Sequence, residues 1–123
     1  MKRRAEPSPE DLLPLPGAVF QILVALTDRE RHGYGIMQDI ADRTGGKFRM
    51  SPGTLYGTIK RMLEQELIEE TNEERPDPAL DDERRRYYRI TAFGRRVTGM
   101  EAERLSKLVN QAVAGLLHGS RPS

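Results

Sequence analysis

The segment that begins at Ser51-Pro52 limits the possible folds more than any other part of the chain. Serine caps the free N–H groups at a helix start, and proline, which has no N–H, is well placed at the first helical position. The apolar residues that follow recur at the spacing of one helical face: Leu55, Ile59, Met62 and Leu63. The segment therefore predicts an amphipathic helix with this stripe on its buried side.

The opposite side of that helix carries small, polar and basic residues. It holds Gly53, Thr54, Gly57, Lys60, Arg61 and Glu64. Two glycines allow a close approach to the backbone, Thr54 can bond a base edge or a phosphate, and Lys60 and Arg61 supply positive charge. Glu64 does not fit this pattern and lies at the far end. This side predicts contact with the major groove of DNA.

Two further features of the helix point to phosphate. The free N–H groups at the Ser51 end form a phosphate site that the helix dipole strengthens. Tyr56 falls on the flank, where its ring can be buried while its hydroxyl reaches a phosphate.

Charge is distributed unevenly along the chain, although the formal net charge is only +1. Positions 43–61 hold Arg43, Lys47, Arg49, Lys60 and Arg61 and no acidic residue. Positions 69–83 hold eight acidic residues and a single basic one, Arg75. A polyanion would be attracted to the first segment and repelled by the second.

The pattern before this helix indicates two more helices. Residues 17–27 are nearly all apolar, and the length of the segment favours a buried helix over a buried strand. Residues 34–43 show the spacing of one helical face before Gly45-Gly46 ends it. The charged residues 28–33 between them predict a turn.

The pattern after this helix changes to short strands and then to a long helix. Residues 69–72 and 86–90 are typical of the two strands of a hairpin, and residues 73–85 form an unusually long connection. Residues 91–118 predict a helix of about 40 Å at a rise of about 1.5 Å per residue.

Three helices followed by a hairpin form the order of a winged helix-turn-helix. The predicted fold class is thus mainly α with a small β-hairpin, extended by a long C-terminal dimerisation helix. The chain divides into a disordered N-terminal arm at 1–16, the DNA-binding domain at 17–90, the dimerisation helix at 91–119 and a tail at 120–123. A wing lies beside the flanking backbone, so we expect contacts from Arg84, Arg85 and Arg86.

The last helix has an apolar side that a single small domain would leave exposed. This side consists of Leu105, Leu108, Val109, Ala112, Val113, Leu116 and Leu117. Pairing of two protomers would cover it. We therefore expect a homodimer whose third helices lie about 34 Å apart on a palindromic operator.

The composition argues against several other classes of protein. The chain has no cysteine, and His32 and His118 are single and far apart, so we expect no metal and no other cofactor. No nucleophile with its base and no glycine-rich phosphate loop is recognisable, which argues against an enzyme. No apolar run approaches roughly 20 residues and no export signal follows Met1, so we expect no membrane contact and a cytoplasmic location.

Four motifs together resemble the PadR family of transcriptional regulators. They are HGYGI at 32–36, SPGTLY at 51–56, RMLEQELI at 61–68 and RYYRIT at 86–91, followed by Gly94. The resemblance covers about residues 17–94 and is specific because the second and fourth motifs occur in combination.

The resemblance implies a homodimer in which the last helix crosses to the partner, and repression that a small-molecule effector relieves at the dimer interface. It also implies that Tyr34 lies close to the sugar-phosphate backbone, whereas the residues alone equally allow packing at the start of the second helix. Two positions depart from the family pattern: Glu66 stands where glycine is usual, and Gly57 where proline is common.

Two alternatives remain open at this stage. A winged-helix module could serve protein contact, with the acidic segment bound to a basic partner and no operator. An enzyme would require a deep pocket with perturbed ionisable groups.

Overall fold

The computed structural model describes residues 8–71 and 86–119, and this part of the chain is mainly helical with a small sheet. In chain order the elements are a 3-10 helix Pro9–Leu12, α1 Gly17–Ala25, β1 Arg31–His32, α2 Gly33–Arg43, α3 Pro52–Glu64, β2 Ile68–Thr71, β3 Tyr87–Ile90 and α4 Ala92–His118. The predicted winged helix-turn-helix with a long C-terminal helix is confirmed.

The first three α-helices pack around one apolar core. The core includes Val19, Ile22, Leu23, Ala25, Ile36, Ile40, Leu55, Ile59 and Met62. Helix α1 lies against α2, α3 and α4, so it is surrounded by protein on several sides. This position explains why its sequence is apolar nearly throughout rather than along one stripe.

The sheet is antiparallel with the strand order β1-β3-β2. Strands β2 and β3 form the predicted hairpin, with Ile68 opposite Ile90 and Thr71 opposite Tyr87. Tyr88 and Ile90 face the core and are buried. The connection between these two strands lies outside the described residues.

Strand β1 was not predicted, because residues 28–33 were expected to form a turn. Arg31 pairs with Tyr88 and His32 with Tyr87, along the edge of β3 that β2 leaves open. Two residues are too few to show an alternating pattern. The ring of His32 meets that of Tyr87 edge-on, with the ring centroids 5.2 Å apart.

Residues 8–16 differ from the prediction of a disordered arm at 1–16, and residues 1–7 of that predicted arm lie outside the described residues. From Ser8 onward the segment is ordered, with a 3-10 helix at Pro9–Leu12 that packs against α4. Pro9 is buried, and Leu12, Leu13 and Leu15 lie against the core. The prolines and charges indicated disorder, whereas these leucines gain enough apolar contact to hold the segment in place.

Helix α3 ends in a tight turn centred on Glu66. The N–H of Leu67 donates to the carbonyl of Met62 at 3.0 Å, and that of Glu66 donates to Leu63 at 3.0 Å. This pair of bonds is a Schellman motif, which requires a left-handed residue at Glu66. Glu66 has a φ of 62°. Glu66 thus stands where the family usually has glycine, and it adopts the backbone conformation that glycine prefers.

Candidate nucleic-acid interface

Ser51 holds the start of α3, as predicted. Its Oγ accepts a 3.2 Å hydrogen bond from the backbone N–H of Thr54 and donates to Thr54 Oγ1 at 3.1 Å. Both residues are exposed. Because Thr54 Oγ1 accepts from Ser51, the hydroxyl hydrogen of Thr54 can be donated to an acceptor on another molecule.

The outward side of α3 is open to solvent. The residues predicted there are all exposed: Gly53, Thr54, Gly57, Lys60, Arg61 and Glu64. A Cβ built on Gly53 or on Gly57 would have no atom within 4 Å. Both glycines thus leave backbone accessible on this side, which we call the outer face of α3.

The inward side of α3 is buried as predicted at three of its four apolar positions, and Leu63 is partly buried against the core. Leu55, Ile59 and Met62 have almost no exposed surface. Thr58 is also buried, and its hydroxyl donates to the carbonyl of Thr54 at 2.8 Å. This bond satisfies its polar atom inside the core.

Four of the five basic residues at 43–61 have no ion-pair partner within the described ranges: Lys47, Arg49, Lys60 and Arg61. Arg43 is different, because its Nε lies 2.6 Å from the carboxylate of Asp39. That hydrogen bond raises the pKa of the Arg43 guanidinium. Asp39 also pairs with Arg31 at 3.2 Å. These four exposed side chains, on and beside α3, can therefore offer their positive charge to a partner.

Tyr34 lies next to the start of α3. Its side chain is 59% exposed and lines a groove of about 280 Å³ between α2 and α3. Gln38, Arg49 and Pro52 line the same groove. The sequence did not single out Gln38 or Arg49 as site residues. The acid-free run at 43–61 was the available signal for Arg49, and nothing marked Gln38.

Tyr56 packs over the start of α2. A Cβ built on Gly33 would lie against the Tyr56 hydroxyl and 2.7 Å from its Cζ. The ring is half-buried, as predicted for a flanking residue. Its hydroxyl lies beside the backbone of Gly33, so this contact sets the distance between the starts of α2 and α3.

The basic residues of the wing strands are paired with acids. Arg86 is exposed and its Nε lies 3.2 Å from Glu70, while the Nε of Arg89 lies 2.8 Å from Glu69. Arg84 and Arg85, which were expected to contact DNA, lie outside the described residues. The described part of the wing therefore offers less free positive charge than α3.

The apolar side of α4 is exposed over most of its length. Leu105 is partly buried, whereas Leu108, Val109, Ala112, Val113, Leu116 and Leu117 are exposed. Leu116, with 78% exposure, is the extreme case. We call these seven residues the apolar face of α4. Such a stripe on a small domain is unusual unless another surface covers it.

Residues 8–71 and 86–119 contain neither a metal-binding cluster nor a membrane-spanning helix. This part contains no cluster of His, Cys, Asp or Glu side chains suited to hold a metal ion. None of its helices combines the length and apolarity required to cross a membrane.

The fold and the outer face of α3 define a winged-helix protein whose third helix is free to lie against another molecule. The Transcriptional regulator PadR-like family matches residues 22–99, and the chain belongs to this family. The resemblance drawn from the four motifs is thus confirmed. Because the family consists of transcriptional regulators, the chain is a regulator of transcription and not an enzyme.

Individual relatives agree with this assignment. The chain is 34% identical over 99 residues to the transcriptional regulator Rv3488 of Mycobacterium tuberculosis, spanning 80% of this chain and 85% of that protein. It is 35% identical over 74 residues to an uncharacterized protein of Lysinibacillus sphaericus, spanning 60% of this chain and only 64% of that relative.

The fold also matches a solved structure. A PadR-like transcriptional regulator from Bacillus cereus has a TM-score of 0.65 and 23% identity, with 90% of this chain and 96% of that chain covered. At this identity the likeness supports the fold alone.

Proposed function

We propose that this regulator binds double-stranded DNA as a homodimer, with α3 of each protomer in the major groove of a palindromic operator. The outer face of α3 carries the proposal. It combines accessible backbone at two glycines, the hydroxyl of Thr54 and the free charges of Lys60 and Arg61, while the core holds its opposite side.

Each part of this surface has a defined role in the proposal. The N–H groups at the Ser51 end and the charges of Lys60 and Arg61 bind phosphates and fix the register of the helix. Thr54 donates its hydroxyl hydrogen to a base edge or a phosphate. Tyr34 and Arg49, which line the neighbouring groove between α2 and α3, extend the protein–DNA contact along the sugar-phosphate backbone.

The apolar face of α4 supports the homodimer. A two-fold axis places the same face of the partner against it and removes both from water. The two α3 helices then lie about 34 Å apart, one turn of the duplex, and the symmetry of the protein requires a symmetric operator.

Repression relieved by a small-molecule effector is the regulatory part of the proposal. Beside the apolar face of α4, an open depression is lined among the described residues by side chains of this helix alone, including Arg104, Lys107 and Leu108, and in the proposal the partner protomer supplies the opposite wall. An effector bound there would contact the dimer interface directly. A regulator of this kind acts on the chromosome, so the proposal places it in the cytoplasm.

Selection from random duplex DNA tests operator binding. Wild-type protein is expected to enrich an inverted repeat with half-sites about 10 base pairs apart. Failure to enrich any sequence would contradict operator binding and favour a module for protein contact. Of the acidic segment, the described residues Glu69 and Glu70 are paired with Arg89 and Arg86.

The salt dependence of binding tests the residues of α3. Lys60→Ala and Arg61→Ala should each reduce the slope of log K against log salt by about one. Arg29→Ala removes the same charge from the exposed turn before β1. This turn lies on the α4 side of the domain, where Arg95 donates to the carbonyl of Thr27 at 3.3 Å. An unchanged slope in both α3 variants, or an equal change in the control, would remove α3 from the interface.

A further inference from the structure

Thr91 links the end of α3 to the start of α4 through three hydrogen-bonding partners. Its Oγ1 lies 2.7 Å from the carbonyl oxygen of Glu66 and 3.0 Å from that of Leu67, so its hydroxyl hydrogen is shared between them. The same oxygen accepts from the N–H of Gly94 at 2.8 Å, which caps α4. The backbone N–H of Thr91 also donates to Leu67, at 3.1 Å.

The first turn of α4 packs closely against the backbone that follows α3. A Cβ built on Gly94 would collide with the carbonyl oxygen of Leu67 and lie 2.9 Å from Ile90 Cγ1. The first turn of α4 therefore rests directly on the backbone that follows α3. The left-handed residue Glu66 turns that backbone, and its carbonyl lies within reach of Thr91.

We infer that Thr91 is a positioning residue that fixes the angle between α3 and α4, and through it the separation of the two α3 helices in the dimer. This inference rests on the proposed function. Elsewhere α3 and α4 both pack against α1, and the Thr91 hydroxyl gives a direct polar link, within the described residues, between the end of the proposed DNA-contact helix and the start of the proposed dimerisation helix.

The length of α4 makes its angle important. Its 27 residues span about 40 Å at a rise of about 1.5 Å per residue. A tilt of about 5° at Thr91 would displace the far end by about 3.5 Å, which is about one base pair of duplex. If the contact at Thr91 is weakened, the protein should bind operators of different half-site separation with more similar affinities. The affinity of one α3 helix for one half-site should not change.

Three substitutions at Thr91 separate its two roles. Thr91→Val removes both the cap and the side-chain link to α3, and it leaves the backbone bond from Thr91 to Leu67. Thr91→Asp keeps a side-chain acceptor for the Gly94 N–H, so α4 stays capped, but an aspartate cannot donate to the carbonyls of Glu66 and Leu67. This variant therefore tests the link to α3 even if Thr91→Val does not fold. Thr91→Ser retains the hydroxyl. Thr98→Val is the matched control, because the Thr98 hydroxyl bonds only the Gly94 carbonyl within α4 among the described residues.

The measurement uses the inverted repeat enriched by wild-type protein, with the half-site separation changed in steps of one base pair, and a single half-site as reference. For wild type, Thr91→Ser and Thr98→Val, a one-base-pair change should weaken binding about tenfold, close to the effect of one mismatched pair. In Thr91→Asp, and in Thr91→Val if folded, this penalty should fall to about threefold or less, with half-site affinity unchanged.

Failure of the positioning role can be distinguished from failure of the proposed function. A sharp wild-type spacing optimum that Thr91→Asp retains, with or without a uniform loss of affinity, overturns the positioning role alone. If wild-type protein selects no inverted repeat, the proposed function itself fails, and the positioning role fails with it.

Discussion

The backbone N–H of Leu15 donates a 3.2 Å hydrogen bond to the carboxylate of Glu101, 86 positions later in the chain. Glu101 is only 2% exposed, and Arg104 donates to both of its oxygens, at 2.7 and 2.9 Å. Hydrogen bonding from Arg104 lowers the pKa of the Glu101 carboxyl, burial opposes this, and the Leu15 N–H lowers it further. A charged carboxylate thus fastens the N-terminal segment to α4.

We expect the contribution of Glu101 to stability to depend on pH. Because its pKa is lowered by folding, the stabilisation is fully present above the unfolded value of about 4.3 and is lost as the pH falls through the lower folded value. Glu101→Gln should cost about 1–3 kcal/mol at pH 7 and less in more acidic solution. Urea unfolding at one fixed protein concentration, at pH 7 and near pH 3, measures the difference.

Glu103→Gln is the control for this experiment. Glu103 is exposed two positions further along α4, so its substitution should change the free energy of unfolding by less than about 0.5 kcal/mol at either pH. A loss in Glu101→Gln that is the same at both pH values would show that the charge of the carboxylate contributes nothing.

Glu66→Gly should stabilise the protein. A non-glycine residue in the left-handed region costs roughly 1–2 kcal/mol, and glycine avoids most of this cost while the Schellman bonds remain. Thermal or urea unfolding should show a gain of about 1 kcal/mol. Glu64→Gly removes the same charge from the last residue of α3 and should instead destabilise by about 0.5–1 kcal/mol. Losses in both variants would contradict the left-handed turn.

The two faces of α3 were predictable because the features that specify them lie within the helix itself. Ser51 and Pro52 specify the helix start, and the period of the apolar residues specifies which side is buried. The sequence also flagged Glu66 as unusual, but only the backbone showed that it occupies the left-handed position. The DNA-contact roles of the outer face stay predictions.

Other parts of the molecule depend on contacts between distant segments and were not predictable in this way. The N-terminal segment is ordered by Leu15 and its neighbours against α4, although its prolines indicated disorder. Strand β1 forms only because β3 offers a free edge. Gln38 and Arg49 become neighbours only once α2 and α3 cross. In each case the sequence carries no periodic signal, and contacts with distant segments determine the local structure.

If two protomers pair through the apolar face of α4, as proposed, Val109→Glu should convert the dimer to a monomer. Val109 is exposed near the middle of the apolar face of α4, and a charge there would be buried without a partner when two protomers pair. Light scattering at micromolar concentration measures the mass. Gln111→Glu adds the same charge on the other side of α4 and should leave the mass unchanged. A monomeric wild type, or a dimeric Val109→Glu, would exclude this face as the interface.

Gly33→Ala tests the contact that sets the distance between α2 and α3. The added methyl would overlap the ring of Tyr56, and the forced shift should cost about 1–3 kcal/mol in the free energy of unfolding. Gly35→Ala, two residues later in α2, brings a methyl no closer than 3.4 Å to the ring of His32, so it should be neutral or stabilising. In a Tyr56→Ala background the cost of Gly33→Ala should largely disappear, since the space is then empty. If its cost is the same in both backgrounds, the ring does not fill that space, and another contact must hold the starts of the two helices together.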